Sequence, residues 1–142
     1  CAPGCCKHED ILGRRPPPLL VASAPFAFSG DVEVQADCLG GETLDLNVMS
    51  RRGVVVHRMT KFDVSAEQRL SMSGNTVAIV FRGDARVTID SMQSDVGLGD
   101  VLICEPMPFE LTVTPVGTNC ALYAIEIASD LDMAAAPEQV AS

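Results

Sequence analysis

The strongest constraint on this chain is a period of two. In "DVEVQADCL", Val32, Val34, Ala36 and Cys38 alternate with Glu33, Gln35 and Asp37. Successive side chains of a strand point to opposite faces, so this run predicts a strand with one buried and one wet face. "TLDLNVM" repeats the pattern, with Leu44, Leu46 and Val48 on one face and Thr43, Asp45, Asn47 and Met49 on the other. The pattern resumes in "VVVHRMTKFDV", and "MPFELTVT" sets Phe109, Leu111 and Val113 against Glu110, Thr112 and Thr114. "NTVAIVF" is a continuous apolar run, which suits a strand covered on both faces. "ARVTID", "VLICE" and "CALYAIEI" complete the series. Between the strands lie the turns Leu39-Gly40-Gly41, "RGD" at 82–84 and "GLGD" at 97–100. Gly83, Gly97 and Gly99 permit the positive φ of tight hairpins, and an aspartate caps its own turn through backbone N–H groups. No 3.6-residue period is visible before the tail after Ser129, which reads as a short helical turn. Roughly eight or nine short strands without βα alternation predict an all-β sandwich or barrel.

The length of 142 residues fits one domain. At 47% hydrophobic residues there is material for a core, and with no Trp and one Tyr that core must be aliphatic. A net charge of −9 repels phosphate backbones and anionic lipid, which argues against nucleic-acid and membrane partners. No apolar run approaches the ~18 residues of a membrane span. Arg14 and Arg15 precede "LLVASA", but Pro16, Pro17 and Pro18 break a stretch already shorter than the ~7–15 residues of a signal. The expected location is cytoplasmic. Among the cysteines, Cys38, Cys104 and Cys120 lie in apolar strand-like settings and read as buried free thiols. Cys1, Cys5, Cys6 and His8 crowd together, but no second ligand pair follows to complete a zinc site. Residues 1–24 therefore read as an unstructured or foreign leader, 25–128 as the β domain and 129–142 as a tail.

The turns "VFRGDARVTI" and "GLGDVLICEP" resemble the hairpin spacing of cupins, small jelly rolls that bind ligands inside the barrel. Metal-dependent cupins use several histidines. With His8 in the leader, His57 is the single candidate in the domain, so no metal and no other cofactor is expected. Ser50 and Ser65 lack a nucleophile elbow, and phosphate loops and dinucleotide fingerprints are absent. A metal-free isomerase or epimerase acting on a sugar or small acid would have to take its base from His57 or Glu110.

From Pro25 the chain resembles the HutD/Ves family of bacterial cupin-like proteins associated with histidine utilisation. The resemblance rests on Phe26-Ala27-Phe28, Gly30-Asp31 and the turn at 39–41. It is sharpest in "DLNVMSRRG", where Asp45, Asn47, Met49, Arg51, Arg52 and Gly53 meet the family pattern Asp-x-Asn-x-Met-x-Arg-Arg-Gly. It covers about residues 25–128, corresponds to the C-terminal half of that bicupin family, and implies an RmlC-like cupin jelly roll with no known catalytic activity. The implied partner is a small acidic metabolite of the urocanate, formylglutamate or formate class, whose capture limits flux through histidine degradation. On this reading Asp45 and Asn47 face the barrel interior, with Arg51 or Arg52 near the strand's end supplying a fork of donors for a carboxylate and Met49 and His57 as further ligand-binding candidates. The family's Trp-Lys-Asn-Gly-Gly-Gly and Trp-Arg-Ile-Ser segments are absent. That departure implies a truncated or misframed chain with a single cupin half, whose uncovered edge and apolar face homodimerisation would cover. A non-functional fragment is the remaining alternative.

Overall fold

The computed structural model describes residues 6–9, 23–31, 35–38, 44–73, 75–105 and 109–129. The chain divides into two compact units, Cys1–Met49 and Ser50–Ser142. Val32–Val34, the Leu-Gly-Gly turn, the cysteines at 1 and 5, and the tail after Ser129 lie outside the described residues.

In the first unit, β1 (Cys6–Glu9) pairs antiparallel with β2 (Gln35–Cys38), setting Cys6 opposite Cys38. β2 lies inside the alternating run that predicted it. β1 lies in the stretch read as unstructured. Its strand form comes from a ladder to distant residues, which local periodicity does not record. The rings of Phe26 and Phe28 stack with centroids 6.2 Å apart. Leu44–Ser50 belongs to no regular element, against the strand expected for "TLDLNVM". Leu44 is 83% exposed and Leu46 38%, so neither is buried as the alternation predicts. Alternation decides which side chains share a face, but a strand also needs a ladder partner. Among the described residues this run has none.

The second unit contains eight strands: β3 (Val55–Val64), β4 (Gln68–Met72), β5 (Thr76–Arg82), β6 (Ala85–Ile89), β7 (Met92–Val96), β8 (Val101–Cys104), β9 (Phe109–Pro115) and β10 (Cys120–Ser129). They form two four-stranded sheets with the orders β3-β10-β5-β8 and β4-β9-β6-β7, antiparallel throughout. This interleaving of early and late strands in both sheets is a complete eight-stranded cupin-like jelly roll. The chain is all-β, as its alternation predicts. Among the described residues no helix is long and apolar enough to cross a membrane.

One core lies between the sheets. The first sheet contributes Val64, Val77, Ile79, Phe81, Cys120, Leu122 and Ala124; the second contributes Leu70, Met72, Ala85, Val87, Leu111 and Val113. The outer face of the second sheet is wet. There Arg86 pairs with Asp95 at 2.8 Å and Arg69 approaches Glu110 at 3.9 Å. The Arg86 guanidinium, by hydrogen bond and charge, holds the Asp95 carboxyl below its ordinary range.

The turns close the ends. Gly83 and Gly99 have positive φ, 155° and 89°. Gly97 does not; a Cβ there would meet Asp84 Oδ1 at 3.3 Å, so close approach explains that glycine. Asp100 caps the turn by accepting the Gly97 N–H at 2.8 Å.

Phe81 is fully buried and Arg69 lies on the wet face. Phe81→Ala is expected to cost about 3–5 kcal/mol, and Arg69→Ala under about 0.5 kcal/mol, both read from urea unfolding. Equal costs would contradict this placement of the core.

Candidate functional site

Directly opposed residues of an antiparallel ladder share a face. Phe62 and Val64 of β3 turn toward the core, so Arg58 and Thr60, in phase with them, lie on the inner face. On β10 the same phase runs through Cys120, Leu122, Ala124 and Glu126. Arg58 stands opposite Glu126, Glu126 opposite Val77 and Val77 opposite Cys104. This row crosses the inner face of the first sheet near one end of the jelly roll.

Glu126 is the one buried charged residue among those described, at 6% exposure. Arg58 Nε and Nη2 donate to its Oε2 at 3.0 and 2.9 Å. The Ser73 backbone N–H and hydroxyl donate to its Oε1 at 2.8 and 2.9 Å. Four donors therefore satisfy a carboxylate that burial alone would penalise. Ser73 follows β4, and the same loop is tied to β10 again where Asn75 N–H donates to the Ile127 carbonyl at 2.8 Å. The Arg58 side chain remains 55% exposed. Its guanidinium is held along one edge by Glu126 while the rest reaches solvent.

None of the residues singled out by sequence in the second unit belongs to this row. Asp45, Asn47 and Met49 lie in the irregular segment of the first unit and are exposed. Arg51 and Arg52 are exposed at the turn into β3, which closes with Val54 and Val55 N–H groups donating to the Arg51 carbonyl. His57 stands opposite Ile127, one residue out of phase with Arg58, and so lies on the outer face. Its Nδ1 is 2.8 Å from the Ser50 hydroxyl. Glu110, out of phase with Phe109 and Leu111, lies outward on the second sheet, 3.4 Å from the Ser71 hydroxyl.

Sequence reading missed Arg58, Ser73 and Glu126. Half the signal was present: Glu126 is the lone charge in "CALYAIEI" and falls in phase with Cys120, Leu122 and Ala124. Its partner could not be read, because 68 positions separate it from Arg58. Burial pushes the thiols of Cys104 and Cys120 up, which keeps both protonated near neutrality and poor as nucleophiles. Among the described residues no three of His, Cys, Asp and Glu gather to hold a metal ion.

Comparison with known proteins places this architecture. A conserved protein of unknown function from Pseudomonas aeruginosa PAO1 superposes with a TM-score of 0.72 at 18% identity, over 90% of this chain and 66% of that one. The chain thus spans just under two thirds of that protein, and the likeness is one of fold. A cupin protein from Bacteroides fragilis aligns with a TM-score of 0.43 at 13% identity, over 67% of this chain and 97% of that one. A cupin superfamily protein from Desulfitobacterium hafniense DCB-2 gives 0.40 at 15%, over 57% and 84%. No curated protein matches the sequence. The HutD family model matches residues 10–121, most of the chain and much of the stretch read as a leader. The chain belongs to the HutD family.

Proposed function

We propose that this chain is a non-catalytic, cytoplasmic, small-molecule-binding cupin that restrains histidine utilisation by holding a small acidic metabolite. The ligand class is urocanate, formylglutamate or formate. The observation that carries this reading is Arg58 on the inner face, its guanidinium fixed along one edge by buried Glu126 and its side chain 55% exposed. A guanidinium offers five donors in a planar fork, so one held by a carboxylate on one side still presents donors to a second carboxylate on the other. Fixing it beforehand lowers the entropy lost on binding. Arg51 and Arg52, exposed at the turn into β3, supply further positive charge.

The isomerase reading is weaker. Both of its candidate bases, His57 and Glu110, lie on outer faces. Glu126 faces inward, but its carboxylate already receives four hydrogen bonds.

Calorimetric titration with urocanate, formylglutamate and formate is expected to give saturable heat with at least one of them, and the same ligand to raise the melting temperature. Arg58→Ala is expected to weaken that binding roughly 10-fold or more, the loss of a charge-assisted hydrogen bond. No heat and no thermal shift with all three would remove the reading.

Glu126→Gln is expected to destabilise the fold by about 1–3 kcal/mol, measured by urea unfolding, because Arg58 loses its anionic partner. An unchanged unfolding midpoint would show that the pair does not hold this end of the barrel.

A further inference from the structure

In the second unit, four strands form the sheet edges among the described residues: β3 and β8 in one sheet, β4 and β7 in the other. Exposed edges are protected against stray pairing by charges, proline or cover. β3 carries Arg58, Lys61 and Asp63, β4 carries Arg69, and β7 carries Asp95. β8 reads Val-Leu-Ile-Cys, with neither charge nor proline. Its outward residues Val101 and Ile103 are 54% and 68% exposed. They stand opposite Val80 and Ala78 of β5, so the apolar strip continues inward across the sheet.

The ends of β8 differ from its middle. Asp100 precedes it and Glu105 follows it, both exposed. Asp100 accepts the Gly97 N–H and Glu105 accepts the Thr76 hydroxyl of β5, each at 2.8 Å, so one acid is fixed at each end of β8. Antiparallel pairing of β8 with a second copy would bring the acidic ends of the two strands together, in a chain of net charge −9. Like charges facing across a ladder destabilise it. An incoming strand with aliphatic side chains at alternate positions and a cation at each end meets no such cost.

We propose that the edge of β8 that no described strand pairs with is a docking site for an extended segment of a partner protein, aliphatic at alternate positions and lysine- or arginine-flanked, added by β-augmentation. Backbone hydrogen bonds supply the affinity, Val101 and Ile103 the side-chain contact, and Asp100 and Glu105 the choice of a basic segment.

The test uses the full chain and two fluorescein-labelled peptides, Lys-Thr-Val-Thr-Val-Thr-Lys and Glu-Thr-Val-Thr-Val-Thr-Glu, followed by fluorescence anisotropy and amide hydrogen exchange. The basic peptide is expected to bind saturably, roughly tenfold or more tighter than the acidic one, and to slow exchange at Val101–Cys104. Ile103→Lys is expected to abolish this, and Met92→Lys, at the exposed start of the β7 edge, to leave it unchanged. Both positions are exposed at 68% and 72%, so neither substitution enters the core. No binding of the basic peptide, equal binding of the two, or protection away from β8 would overturn the proposal. So would sedimentation showing a dimer that Ile103→Lys dissociates while neither peptide binds, which would give the edge to a second copy.

Discussion

β10 pairs on one side with β3 and on the other with β5, and the register of those two ladders governs the second unit. It places Cys120, Leu122 and Ala124 in the core and Glu126 on the same face. A slip of one residue would turn all four outward and present Ala121, Tyr123 and Ile125 to the core instead. The aliphatic core and the charged row are therefore set by a single choice of pairing. The hydrophobic term specifies that choice, because Leu122, Phe81 and Ile79 are fully buried only in this register.

The charged row follows from that register and is the exception to it. An ion pair taken out of water gives little net stability compared with well-packed apolar side chains. Here Glu126 is buried while Arg58 is half in solvent, and Ser73 supplies the two remaining donors. The arrangement has the character of a mount: an inner carboxylate satisfied by four donors fixes a cation at the end of the barrel. The core around it is largely aliphatic, and among the described residues this row brings the one buried charge.

The parts legible in sequence were those whose physics is local or repeated. β3, β5, β6, β8, β9 and β10 all coincide with runs read as strands, because each has one face in the shared core. β4 and β7 were not read. Both are edges of the wet sheet, and "MQSDV" is largely exposed, so its sequence carries little apolar alternation. "TLDLNVM" misled in the opposite direction, since alternation without a ladder partner yields an irregular, exposed segment. The most family-specific residues, Asp45 to Gly53, identified the family and did not identify an inward face. Arg58 was invisible beside its neighbour His57, because which of the two points inward depends on Phe62, Val64 and a strand far along the chain.

The central claim is that the inner-face cation Arg58 receives the ligand's carboxylate. The most direct measurement is arginine Nε–H NMR, with Arg58 assigned by substitution, during titration with formylglutamate. The account predicts that the Arg58 Nε–H resonance, hydrogen-bonded to Glu126, is present before ligand and shifts saturably as ligand is added. A saturable shift confined to Arg51 and Arg52, with Arg58 unmoved, would contradict it.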